Sequence, residues 1–258
     1  VVPPNNGPNA LHGGPVGFDR AVWRVGGVGA TAEEGLLLAH RSPDGDQGFP
    51  GTLDVTVRFS LGADGALGIE YEARTDRATV LNLTNHAYFN LSGEGAGDVL
   101  DHALEIAADD FLPVEPGLIP TGEIRAVAGT PFDFRAPTPI GARMALPDEQ
   151  LRIGQGYDHA FVLRDAPGLR PVARALSPRT GIALDVLTTE PFLQLYTGNF
   201  LGSSLPGRDG RPLCRHAGFC LETQHAPDSP NRPGFPSTVL RPGDRFFSRT
   251  VYRFEHNQ

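Results

Sequence analysis

The stretch Leu53-Asp54-Val55-Thr56-Val57-Arg58-Phe59-Ser60-Leu61 alternates apolar and polar side chains without a break. That is the period-two pattern of a strand with one buried face. A turn at Ala63-Asp64-Gly65 follows, and then Leu67, Ile69, Tyr71 and Ala73 alternate with Gly68, Glu70, Glu72 and Arg74. Two such runs joined by a glycine turn predict a hairpin. Further strand-like runs lie at 80–84, 104–107, 160–163, 182–187, 192–196, 219–223 and 245–254, whereas only 148–153 reads as a helical turn. Glycine (32) and proline (24) punctuate the whole chain, as many short strands joined by turns require. Strands without intervening helices predict an all-β chain, a large antiparallel β-sandwich forming one domain over residues 1–258.

With 258 residues, 40% hydrophobic and 20% charged, the chain has the composition of a globular domain with a real core. No apolar run nears the roughly 20 residues of a membrane span. A net charge of −8 argues against nucleic acid or an anionic membrane as partner. All 22 basic residues are arginine, so Schiff-base and Walker-type chemistry lose their usual lysine. Cys214 and Cys220 are too few for a disulfide framework and read as free thiols in a reducing compartment. No basic or apolar leader opens the chain, and the expected localisation is cytoplasmic. The only methionine is Met144, so a longer product is expected upstream of Val1.

Several motifs fall away on context. Gly27-Val28-Gly29-Ala30-Thr31-Ala32 fits a loose dinucleotide fingerprint, but no βαβ unit surrounds it, and it reads as a glycine-rich turn. No G-x-S-x-G elbow occurs, so an α/β-hydrolase serine is not expected, and no clustered metal-ligand spacing occurs along the sequence, so no metal is expected. Asn82-Leu83-Thr84 and Asn90-Leu91-Ser92 match a glycosylation sequon, but both lie in or beside predicted strands.

Five segments combine polar residues with glycine, aromatics and asparagine: 9–14, 84–91, 156–161, 194–200 and 218–224. Together they offer imidazoles, carboxylates, amides and aromatic faces, the usual lining of a sugar site. In the run 219–224, Phe219, Leu221 and Thr223 share one face, and Cys220, Glu222 and Gln224 share the other. Glu222 is therefore either a salt-bridged surface residue, the commoner fate of a charge, or a functional group in a pocket. In a pocket, desolvation would raise its pKa and suit it to general-base work. His86 is either a core imidazole satisfied by a backbone carbonyl or a general acid. The residues do not decide between Asp158 and His159 as a site group.

The five segments, in this order, resemble the aldose 1-epimerase (galactose mutarotase) family. Further matches are Ser42-Pro43-Asp44-Gly45 with Gly48-Phe49-Pro50-Gly51, Leu112-Pro113-Val114 with Ile119-Pro120-Thr121-Gly122, and Phe132-Asp133-Phe134-Arg135. Phe235-Pro236 and Leu240-Arg241-Pro242-Gly243 complete a likeness that spans 9–254. The resemblance implies a galactose mutarotase-like supersandwich, an open carbohydrate site, a monosaccharide substrate and no cofactor. It implies Glu222 as the base that takes the C1 hydroxyl proton, and His86 as the acid that protonates the ring oxygen. It further implies His12, Asp158 and Gln194 as substrate-binding groups, the choice of Asp158 over His159 coming from the family alone. Family members also carry a segment before Leu-His-Gly-Gly, with strands and a substrate-binding arginine, which this sequence does not include. An uncovered sheet edge is then expected to favour association, in a monomer or weak homodimer. A lost charged hydrogen bond to substrate would cost roughly 1.5–3 kcal/mol.

Two other classes compete. A non-catalytic sugar-binding sandwich would keep the amides and aromatics but need no acid–base pair. A glycosidase would use Asp158 and Glu222 as its carboxylate pair and leave His86 idle.

Overall fold

The computed structural model describes residues 1–202, 206–208, 210 and 212–256. In chain order the strands are β1 (Arg24–Val28), β2 (Leu36–Ser42), β3 (Leu53–Leu61), β4 (Leu67–Thr75), β5 (Thr79–Val80), β6 (Ala103–Ile106), β7 (Ala108–Phe111), β8 (Arg125–Ala126), β9 (Thr138–Pro139), β10 (Asp158–Leu163), β11 (Arg170–Leu176), β12 (Ile182–Thr188), β13 (Phe192–Tyr196), β14 (Cys220–Gln224), β15 (Val239–Leu240) and β16 (Phe246–His256). One α-helix, α1 (Glu149–Gly154), interrupts them among the described residues. No helix among these residues is long and apolar enough to cross a membrane. The chain forms two compact units, one of Val1–Leu83 with Ser237–Arg249, the other of Thr84–Pro236 with the residues from Thr250 onward.

The first unit is built on the meander β1–β2–β3–β4, all antiparallel. The hairpin read from the sequence is β3–β4, in register from Leu53↔Thr75 to Leu61↔Leu67. Its turn is closed by Gly65 N–H to Gly62 O, with Gly65 at φ +76°. Leu53, Val55 and Ala73 point into a core with Leu81 and Leu240, against which Phe18, Trp23, Leu83 and Phe246 pack. The other face carries charge, including the paired Arg41 and Asp54. The strand expected over 80–84 shrinks to the two-residue pair β5–β15. Gly27 and Val28, expected in a turn, lie in strand β1 at a register shift, and no nucleotide loop forms there.

The second unit contains two sheets. One runs β12–β11–β6–β9, with residues 250–256 of β16 pairing along β12. The other is five-stranded, β14–β13–β10–β7–β8, and holds strands from three of the five segments the sequence marks as chemically rich. Apolar side chains fill the space between the sheets, and hydroxyls join them. Tyr252 donates to Leu221 O, and Thr250 Oγ1 bonds both Thr188 and Thr223. Phe111, Phe132, Phe134, Tyr157 and Phe161 are fully buried, with Phe111 stacked on Phe132 at 4.2 Å. Large antiparallel sheets with almost no helix agree with the all-β expectation.

Candidate active site

The site lies on the outward face of β14, β13 and β10. Antiparallel pairing sets Glu222 opposite Gln194, Cys220 opposite Tyr196 and Asp158 opposite Tyr196. Because side chains alternate, Asp158, Gln194, Tyr196, Cys220 and Glu222 all emerge on one face, while His159, Leu195 and Leu221 enter the core. That alternation separates Asp158 from His159, which the residue types alone do not. His159 is fully buried, its Nδ1 accepting from the Asp158 N–H and its Nε2 bonded to Gln150 Oε1. Burial pushes its pKa down to about 3, so it stays neutral and structural.

The turn into β10 fixes Asp158. Gly156 has φ +138°, and a Cβ there would lie 2.3 Å from Asn199 Oδ1. Asn199 Nδ2 donates to the carbonyls of Gly154 and Tyr157, and its Oδ1 accepts from Thr197. The network holds the backbone rigidly one residue before the carboxylate. Burial raises the Asp158 pKa to about 6, against the stabilising hydrogen bond from Gln194 Nε2 at 2.8 Å. With Nε2 committed to Asp158, the acceptor Oε1 of Gln194 is buried and has no hydrogen-bond partner among the described residues.

Glu222 is 6% exposed, which removes the surface reading of this carboxylate. Desolvation, and then the Asp158 charge, raise its pKa to about 8. Its neighbour is His86, whose Nε2 stands 3.6 Å from Glu222 Oε1. His86 comes from a segment with no ladder of its own, pinned alongside β14 at two points. Thr84 Oγ1 donates to Thr223 O, and Phe89 exchanges both backbone hydrogen bonds with Phe219. Phe89 is held in turn against Phe219 and Tyr252. Between these anchors His86 stacks on Tyr88 at 5.2 Å, and both rings meet Tyr196 edge-on at 6.1 Å. The imidazole is 32% exposed, so the buried carboxylate reaches solvent on the side of His86 and the half-exposed Tyr88.

Four of the five sequence-derived site residues thus gather on one sheet face: His86, Asp158, Gln194 and Glu222. His12 belongs to the first unit, exposed in a left-handed turn (φ +53°) gathered by the Asn5 side chain, which bonds Leu11 and Gly14. Sequence reasoning did not single out Tyr88, Tyr196 or Cys220. Tyr196 and Cys220 share the period-two face of Gln194 and Glu222, and that phase was the available signal. Cys214 and Cys220 are both free thiols, the second fully buried.

Comparison with known proteins identifies the family of the whole chain. The aldose 1-epimerase family model matches residues 1–253. Galactose mutarotase from Bos taurus is 43% identical over 250 residues, covering 97% of this chain and 70% of the relative. Aldose 1-epimerase from Escherichia coli K12 is 44% identical over 254 residues, covering 97% and 72%. Among solved structures, a GalM/aldose epimerase homologue from C. elegans superimposes with a TM-score of 0.87 at 33% identity, over 99% of this chain and 75% of that one. Galactose 1-epimerase from Lactobacillus acidophilus gives 0.85 at 31% identity, over 100% and 73%. The similarity runs through both units and includes every segment that builds the site; this chain belongs to the aldose 1-epimerase family.

Proposed function

We propose that the chain is an isomerase that interconverts the α and β anomers of free aldohexoses such as galactose and glucose. Glu222 is the base and His86 the acid. The observation that carries this reading is the 3.6 Å separation of Glu222 Oε1 and His86 Nε2 on a face that is buried at the carboxylate and open at the imidazole. The hydroxyl and ring oxygens of a pyranose share one carbon, so a base and an acid serving both must stand nearly side by side. Glu222 takes the proton from the C1 hydroxyl, the C1=O double bond forms, and the C1–O5 bond breaks. Its electron pair receives a proton from His86, leaving the open-chain aldehyde. Rotation about C1–C2 and the reverse transfers close the ring on the other face.

One proton shared by the pair suffices for this cycle, carried on His86 while Glu222 is ionised, and burial that raises the Glu222 carboxyl to about 8 makes the ionised form a stronger base. Asp158 and the partnerless Gln194 Oε1 accept from sugar hydroxyls, and the rings of Tyr88 and Tyr196 offer apolar faces to the pyranose. His12 is proposed as a further sugar ligand on family resemblance alone. Polarimetry on freshly dissolved α-galactose or α-glucose tests the reading. Optical rotation is expected to reach equilibrium faster with the protein than in buffer, and an unchanged rate in the presence of bound hexose would favour a sugar-binding protein instead.

A further inference from the structure

We propose that His86 Nε2, Cys220 Sγ and a Glu222 carboxylate oxygen form a three-ligand site for a borderline-soft divalent cation of the zinc class, whose binding halts anomer interconversion. For its effect on rate the proposal rests on the function proposed above; for binding it rests on geometry alone. The three ligand atoms lie within 4.8 Å of one another, and among the described residues this is the cluster of histidine, cysteine and carboxylate that closes to such distances. Ligands bound tetrahedrally to one zinc at about 2.0–2.3 Å stand about 3.3–3.8 Å apart. The His86–Glu222 distance of 3.6 Å already falls in that interval.

Cys220 and Glu222 are i, i+2 on the same face of β14, a strand hydrogen-bonded to β13 through five residue pairs, so their spacing is fixed by the pleat. His86 is carried by the segment pinned at Thr84 and Phe89, and a small side-chain rotation completes the set. One nitrogen, one sulfur and one oxygen ligand suit zinc rather than calcium or magnesium, which prefer oxygen alone. The fourth position faces the exposed side of His86, where water or a sugar oxygen completes the tetrahedron. Cation binding displaces the Cys220 thiol proton to solvent and forms a metal–thiolate bond, with no change of oxidation state. It also occupies the lone pairs of Glu222 and His86 that proton transfer needs, so bound metal and catalysis exclude each other.

Titration of the full chain with cobalt(II), without sugar, tests the site directly. One equivalent should produce a thiolate-to-cobalt charge-transfer absorption in the near ultraviolet, which zinc chloride then abolishes by displacement. Cys220→Ser should lose that absorption. His86→Asn, at a partly exposed side chain whose replacement does not disturb the core, should weaken cobalt binding at least tenfold while keeping the thiolate signature. In polarimetry, saturating zinc chloride should slow the protein-catalysed rate at least tenfold, and a chelator should restore it. The absence of a sulfur signature at saturating cobalt overturns the proposal, as does equal zinc sensitivity in Cys220→Ser. A cobalt signature in a protein that never accelerates mutarotation upholds the metal site and overturns the catalytic reading, so the two fail separately.

Discussion

Replacing Glu222 by glutamine keeps the shape of the side chain and removes its charge, and the structure predicts opposite effects on activity and stability. Burial and the Asp158 carboxylate hold Glu222 at about 8 in the folded protein, against an ordinary value of 4.5. Between those values the folded chain keeps a proton that the unfolded chain has lost. The stabilising contribution of the neutral carboxyl is therefore complete below pH 4.5 and drains away as pH rises through 8. At about 1.4 kcal/mol per unit, the loss amounts to about 3 kcal/mol by pH 7 and levels off above pH 8. Glutamine has no such dependence, but its amide must find partners beside Gln194, which offsets about 1 kcal/mol. A net gain of about 2 kcal/mol near pH 7, larger at pH 8, corresponds at pH 7 to a melting temperature higher by about 4–8 °C for a chain of this size. Near pH 4 the variant should melt with the parent or slightly below it. Thermal scans of both proteins at pH 4, 6, 7 and 8, beside polarimetry showing loss of activity, make the comparison. A difference in melting temperature that stays constant with pH, or is largest at pH 4, would refute the assignment of Glu222 as a desolvated carboxylate.

Other outcomes follow from the same geometry. His86→Asn should lower kcat by about 10²- to 10⁴-fold, the usual worth of one positioned proton transfer, as followed by polarimetry under saturating sugar. The pH profile of kcat/KM should fall on its alkaline side near pH 8, where the Glu222–His86 pair loses its single proton. Asp158→Asn should move that limb to lower pH, because the neighbouring negative charge that helps raise Glu222 is gone. Gly156→Ala sets a Cβ against Asn199 Oδ1 in left-handed backbone. It should cost roughly 2–4 kcal/mol in urea denaturation and raise KM by loosening Asp158.

How much of this was legible in the sequence depended on whether one local rule governed each segment. The β3–β4 hairpin was fully readable, since Val55, Val57, Ile69 and Tyr71 face one core and the polar alternates face away. The phase of 219–224 likewise set Cys220, Glu222 and Gln224 on one face, yet it could not say what covers them. Cys220, Leu221, Glu222 and Thr223 are all buried, so both faces of β14 are covered, and that is a tertiary fact. Strand β2 was missed because Leu36, Leu37 and Leu38 run together, all half-buried, and Ala39-His40-Arg41 gives no alternation. Strand β11 was hidden by Pro171, which sits at a register shift where the ladder tolerates it. The segment 80–84 looked like a strand because its residues are β-formers. Beyond Val80, Leu81 N–H donates to Thr238 O, Thr84 Oγ1 donates to Thr223 O and Phe89 pairs with Phe219, and that extended, ladder-free course is what carries His86 to β14. Asp158 and His159 were indistinguishable as residue types; their register on β10 alone separates the site carboxylate from the core imidazole.

The shared proton of Glu222 and His86 is tested most directly by exchange NMR on C1-labelled hexose at anomeric equilibrium, with the wild-type chain, Glu222→Gln, His86→Asn and the double variant. Two groups that act on one transfer form a unit, so the double variant should exchange α and β anomers no more slowly than the slower single variant, and Glu222→Gln should sit at the buffer rate. Wild-type exchange in Glu222→Gln, or losses that multiply independently in the double variant, would contradict the account.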